Sequence, residues 1–186
     1  MVQTKRLPRL VVQMDNELKK SLRNCDSAKS LQKLLQNVVF QELSPGEVEF
    51  IHHVIEKIRP EYDYTVAYLA NHTIDSLSRY TSVDCATKGQ FVASYIGAFN
   101  QFFQEVLAPE SGLITAKPDL IFLSLALREL SPQISNLFIT LTHEERAQEI
   151  ERIVNQLKEW SEIAKSRTKA SILISNFVRP AYSQAG

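Results

Sequence analysis

The sequence predicts an α/β protein: a three-layer sandwich with a small parallel sheet of about four strands, preceded by an α-helical segment. Three observations predict it. Residues 1–62 place apolar side chains at three- and four-residue steps, the helical period. From Tyr64 the pattern changes to short apolar runs rich in β-formers, separated by helical stretches. Those runs are apolar at consecutive positions, as strands buried on both faces of a parallel sheet must be. The expected organisation is a helical segment over 1–62 and an α/β domain over 63–186.

In the helical segment, Leu7, Val11, Met14, Leu18 and Leu22 form one stripe. A second helix is expected from Ser27, burying Leu31, Leu34, Leu35, Val38 and Val39. The third starts sharply, with Ser44 as N-cap, Pro45 at the first position and Glu47 three residues on, a capping box. Its stripe is Val48, Ile51, Val54, Ile55 and Ile58, and Pro60 ends it. In the α/β part, Thr65–Ala70 reads as a strand and residues 74–88 as a helix stopped by Gly89 in the left-handed region. Gln90–Ile96 reads as a second strand, Phe99–Leu107 as a short aromatic helix, and Pro109–Lys117 as loop. A third strand spans Asp119–Leu125. Thr142 and Glu145 form another capping box and open a helix to about Lys165, with Ala147, Ile150, Val154, Leu157 and Ala164 on one face, flanked by Ile153 and Trp160. The fourth strand is Ala170–Phe177, leading to Val178-Arg179-Pro180. The alternation implies right-handed crossovers. Four strands make a small doubly wound sheet, so either its own helices close it or the polypeptide continues beyond Gly186.

Bulk properties narrow the function. The chain has 186 residues, with 21 Lys+Arg against 21 Asp+Glu, so no broad basic surface is available for nucleic acid or an anionic membrane. The local group Arg6, Arg9, Lys19, Lys20 and Arg23 reads as a solvated helix face. No apolar run is long enough to span a bilayer. Cys25 and Cys85 match no metal spacing and read as free thiols in a reducing, cytoplasmic setting.

The strong catalytic signatures are absent: no P-loop, no dinucleotide fingerprint, no nucleophile elbow, no H-E-x-x-H and no paired C-x-x-C. His52 and His53 are adjacent on a helix and point about 100° apart, so they cannot share a metal. His143 reads as a solvated first-turn residue. The chemistry left is at the strand exits, where open α/β sheets bind ligands. Asn71-His72-Thr73 follows the first strand, with His72 of the right type for a general base. The structural alternative has Thr73 capping the next helix and Asn71 making a turn. Gly97 and Asn100 follow the second strand; Gly97 permits close backbone approach, and Asn100 either donates to an oxyanion or caps a helix. Arg128-Glu129 follows the third, as an anion site or a surface pair, and Ser175-Asn176 follows the fourth.

The ordered series Thr65–Thr73, Leu77-Ser78-Arg79-Tyr80, residues 97–105 from Gly97 through Asn100 to Glu105, Pro109-Glu110-Ser111-Gly112-Leu113, Lys117-Pro118-Asp119 and Phe122–Leu130 resembles the amino-terminal region of FkbH-like proteins, of the HAD-superfamily phosphatase subfamily IIIC. The resemblance implies an SGNH-hydrolase-like, flavodoxin-like α/β domain placed before a HAD-type phosphatase domain. Family members of known role load a glyceryl unit onto an acyl carrier protein in polyketide and related pathways. This chain has no Asp-x-Asp-x-Thr/Val block and no Gly-Asp-Ser nucleophile block. The resemblance therefore implies an auxiliary binding and positioning module with no cofactor of its own, Mg²⁺ being expected only in a HAD domain outside this chain. The partners it implies are an acyl carrier protein or a HAD-type domain, with a small acyl or phosphorylated ligand. The expected ligand-lining residues are Asn71, Gly97, Arg128 and Asn176, and the candidates for chemistry are His72, Thr73 and Asn100. Two alternatives stand beside this: a divergent SGNH-like hydrolase or acyltransferase with His72 as base and Thr73 or Ser175 as nucleophile, and an oligomerisation module without chemistry.

Overall fold

The computed structural model describes residues 14–137 and 139–177. In chain order the elements are α1 (Asn16–Arg23), α2 (Ala28–Leu35), a 3₁₀ turn (Phe40–Glu42), α3 (Pro45–Ile58), β1 (Tyr64–Ala70), α4 (Asp75–Thr87) and β2 (Val92–Ile96). They continue with α5 (Phe102–Leu107), α6 (Gly112–Ala116), β3 (Leu120–Ser124), α7 (Leu127–Leu130), α8 (Pro132–Asn136), α9 (His143–Arg167) and β4 (Ser171–Ile174). The four strands form one all-parallel sheet in the order β2-β1-β3-β4, so the chain is of the α/β sandwich class that the sequence predicts. Leu7, Val11, Arg6, Arg9 and the Val178-Arg179-Pro180 segment lie outside the described residues.

The chain divides into two compact units: residues up to Asp63 with Arg79–Val92, and Tyr64–Ser78 with the residues from Ala93 onward. The first unit is helical. Asp15 caps α1 by accepting the Leu18 N–H at 2.6 Å, and Ser27 caps α2 through Ser30. Leu22, Leu31, Leu35, Val48, Ile51, Val54 and Ile55 make its core with Val83, Ala86 and Phe91. Val39 departs from the expected stripe: α2 ends at Leu35, the chain turns, and Val39 is left exposed. Arg59 leaves α3 in the left-handed region (φ 49°), and Pro60 follows.

Glu47 ties this unit together. Its carboxylate accepts hydrogen bonds from the Met14 N–H (2.7 Å), the Ser44 N–H (3.0 Å) and the Ser44 hydroxyl (2.8 Å), and Lys19 lies 3.1 Å away. Lys19 is thus not merely part of a solvated basic face; Arg23 of the same group lies over the Phe50 ring, its guanidinium 5.7 Å from the centroid. Burial pushes the Glu47 carboxyl up, but the bonds from Ser44, Lys19 and Met14 outweigh it and hold the group down at about 2.

The second unit contains most of the sheet. Parallel register pairs Val66 with Leu120 through Ala70 with Ser124, and Leu120 with Ser171 through Leu123 with Ile174. The two-residue period then sorts the side chains. Ala67, Leu69, Ile121, Leu123 and Ile172 share the face that packs against Phe102 and Val106 of α5, Leu113 of α6, and Trp160 and Ala164 of α9. Trp160 is fully buried and donates its indole N–H to the Phe102 carbonyl at 2.8 Å. On the opposite face Tyr68 and Phe122 meet edge to face, 6.2 Å between centroids.

Three expectations are corrected here. The aromatic helix begins at Phe102, and Phe99 is exposed, because Asn100 adopts a left-handed conformation (φ 57°) that breaks the helix before it starts. Pro109–Lys117 is not all loop: Ser111 caps α6 by accepting the Ile114 N–H, and Glu105 accepts the Leu113 N–H and the Tyr95 hydroxyl. Burial and the Glu105 carboxylate push Tyr95 up to about 12. In α9 the buried face is Ile153, Trp160 and Ala164, and Ile150 and Val154 are exposed. Two stripes overlap on this helix, and the bulk of Trp160 decides which one turns inward.

The α9 capping box forms as expected, with Glu145 accepting from the Thr142 N–H and hydroxyl and Thr142 accepting from the Glu145 N–H. Glu149 binds Arg152 twice and the Ser131 hydroxyl that caps α8, and Arg152 also donates to the Leu130 carbonyl. Arg152 and Ser131 hold the Glu149 carboxyl down at about 2.

Glu47 generates a test. A carboxyl with a depressed folded pKa contributes stability that is present above its unfolded value of 4.5 and is lost as pH falls toward about 2. Glu47→Gln is expected to cost about 2–3 kcal/mol at pH 7 and to flatten the loss of stability between those pH values. Urea unfolding of both proteins across that range, followed by far-ultraviolet circular dichroism, measures it.

Candidate functional site

The carboxyl ends of β1 and β3 are neighbours, and the strand order places the topological switch point between them. The chain passes from β1 to β2 on one side and returns past β1 to β3 on the other.

Asn71 is the first residue past β1 and is buried. Its side chain does what a further peptide unit of β1 would do: Oδ1 accepts the Ala126 N–H at 2.6 Å and Nδ2 donates to the Ala126 carbonyl at 3.2 Å. The β1–β3 ladder thus continues past its last backbone pair, Ala70 with Ser124. The same Oδ1 lies 3.3 Å from Nδ1 of His72. With Nδ1 carrying the proton, Nε2 is left as an acceptor, and it faces the Ser124 hydroxyl at 3.4 Å. Ser175, just past β4, donates its hydroxyl to Ser124 Oγ at 3.1 Å. Its N–H bonds the Leu123 carbonyl, which carries the β3–β4 register one residue further.

The result is a continuous polar row across three strand exits: Asn71, His72, Ser124, Ser175. Its logic is the period of two. Ser124 pairs with Ala70, His72 lies two residues beyond Ala70, and Ser175 follows in register. His72, Ser124 and Ser175 are all partly exposed, so a small molecule can reach the row.

The other expected site residues fall elsewhere. Thr73 is exposed, and α4 starts at Asp75, one residue too late for Thr73 to be its N-cap. Gly97 donates its N–H to the Tyr68 carbonyl at 2.9 Å, and a Cβ there would stand 2.4 Å from Leu69 Cδ2; its glycine serves close packing. Asn100 is exposed, donates its backbone N–H to the Ala70 carbonyl at 3.0 Å and does not cap α5, whose N-cap is Gln101. Arg128 is exposed on α7 and pairs with the adjacent Glu129 at 3.2 Å. Asn176 is exposed beyond β4. Asn71 and His72 are therefore brought together, whereas the row's hydrogen bonds do not include Thr73, Gly97, Asn100, Arg128 or Asn176.

Ser124 is the member that sequence reasoning missed. The signal was one hydroxyl inside the apolar run of β3, and only the register with Ala70 turns it toward His72.

Among the described residues no group of three or more His, Cys, Asp and Glu comes together to hold a metal ion, and the residues of the row do not fit Mg²⁺, which takes carboxylate oxygens. His52 lies 3.7 Å from Glu56 on α3, and His53 is exposed. Cys25 and Cys85 are free. No helix is long and apolar enough to cross a membrane among the described residues.

No protein-family model matches this chain, and no curated protein does. Among solved structures it is similar to the N-terminal part of the protein BF1531 from Bacteroides fragilis, containing a phosphatase domain complexed with Mg. The TM-score is 0.52 at 10% sequence identity, over 86% of this chain. The likeness lies in the fold, and there it bears out the resemblance drawn from the sequence. The chain spans about a third of the matched structure, 35% of its length.

The Asn71 geometry is testable. Asn71→Ala leaves the Ala126 N–H and carbonyl without their partners and is expected to cost about 1–3 kcal/mol. Asn71→Asp keeps an acceptor for the N–H but sets a buried carboxylate oxygen against the Ala126 carbonyl, and is expected to cost at least as much. Chemical denaturation of the two variants ranks them, and equal stability of Asn71→Ala and the parent would remove the clamp from the account.

Proposed function

We propose that this chain is an auxiliary α/β module that binds and positions a small acyl unit at the carboxyl edge of its sheet, within a longer cytoplasmic protein that loads a carrier protein. The observation that carries the reading is the polar row at the switch point. An imidazole and two hydroxyls, all partly exposed and set side by side, suit an oxygen-rich ligand such as a glyceryl unit. No lysine or arginine belongs to the row, which favours an acyl over a phosphorylated ligand at this edge. The fold-level likeness to a structure that includes a phosphatase domain supports a place beside a HAD-type domain. In this reading the phosphoryl chemistry and its Mg²⁺ belong to that domain, and the glyceryl group is presented to an acyl carrier protein from the strand ends.

The test is a nuclear-magnetic-resonance titration of the chain with glyceryl-S-pantetheine. Amide shifts are expected to concentrate at His72, Ser124 and Ser175, and Ser175→Ala is expected to weaken binding by about tenfold. Shifts scattered over α1–α3 with none at the strand ends would overturn the proposal.

A further inference from the structure

The same row is arranged for covalent chemistry, and the hydroxyl it selects is neither Thr73 nor Ser175. We infer that Ser124 is an acyl-accepting nucleophile, with His72 as its general base and Asn71 as the positioning residue. This rests on the acyl-binding reading above. The deciding geometry is the direction of the hydrogen bonds. Asn71 is clamped to Ala126 through both amide atoms, so its Oδ1 is fixed and buried. That oxygen lies 3.3 Å from Nδ1 of His72, which assigns the ring proton there and leaves Nε2 basic, 3.4 Å from Ser124 Oγ. Nucleophile, base and orienter thus stand in the sequence that activated serines and cysteines require, and a separation slightly beyond hydrogen-bond length is usual without substrate. Ser175 donates to Ser124 Oγ, so its own proton is engaged and the lone pair of Ser124 is held in place. Thr73 is exposed and outside this chain of bonds.

The step is an acyl transfer from a thioester. Ser124 Oγ bonds to the acyl carbon while its proton passes to Nε2 of His72. The carbon–sulfur bond of the tetrahedral intermediate then breaks. The electron pair leaves with sulfur, which takes the proton back from the imidazolium. The products are an ester on Ser124 and a free thiol, with nothing oxidised or reduced. A second thiol, entering in reverse, removes the acyl group. The substrate class is therefore a thioester of a small hydroxylated acid, and the module passes the acyl group through itself instead of only holding it.

The experiment treats the whole chain with acetyl-S-N-acetylcysteamine, reads intact mass and then maps the modified peptide. One acetyl group on Ser124 is expected. Ser124→Ala should abolish it, and His72→Ala should slow it by about a hundredfold with partial rescue by added imidazole. Asn71→Ala, which releases the His72 ring, should slow acetylation without weakening thioester binding. Glyceryl-S-pantetheine titrated into Ser124→Ala separates the two proposals. Shifts at the row with no acetylation of the parent protein would overturn the nucleophile and leave the positioning role. Neither shifts nor acetylation would overturn both. A label on Thr73 or Ser175 that survives Ser124→Ala would also overturn the assignment.

Discussion

One side-chain amide holds the carboxyl edge of the sheet in place. Asn71 stands where β1 runs out, and its carboxamide has the donor and acceptor of a peptide group at the reach needed to go on pairing with β3. A hydrophobic residue there would leave the Ala126 backbone unpaired in a partly buried place, and a longer amide would overshoot it. Because the same oxygen also meets the imidazole of His72, the end of the ladder and the orientation of the ring are one constraint. The position of Ser124 follows from the register that this pairing extends.

The helical unit depends on a comparable device of opposite electrical character. Glu47 is a buried carboxylate surrounded by donors from the chain entering α1, from α1 itself and from the start of α3. Left unpaired, such a charge would be strongly destabilising, so its several partners are required together. Asn71 organises the strand edge with a neutral dipole.

Much of the fold was legible in local chemistry. Both capping boxes, at Ser44–Glu47 and Thr142–Glu145, appear where short-range rules put them, because a cap is a contact between residues three apart. The strands were legible as runs of consecutive apolar residues, but only β1 is buried on both faces; β2 and β3 alternate and β4 is largely exposed. What escaped was decided at long range. The α9 stripe is set by the burial of Trp160 against the sheet face, α6 is held by Glu105 of the neighbouring helix α5, and the break before α5 is made by the backbone of Asn100. The site divides in the same way. Asn71 and His72 were visible as a polar strand exit. Ser124 was not, because its importance comes from residues 52 positions away in sequence and adjacent only through strand pairing.

β4 gives the row an uneven mechanical character. It is the last strand on its side among the described residues, only four residues long, with Leu173 half exposed and no charged or proline residue within Ser171–Ile174. Its one described neighbour is β3. Ser175 is consequently held from one side, whereas Asn71 is locked between strands. Stiffness grades along the row, from a rigid amide at the inner end to a compliant hydroxyl at the outer one. On the acyl-binding reading proposed above, a ligand would meet a fixed point near His72 and a compliant one at Ser175.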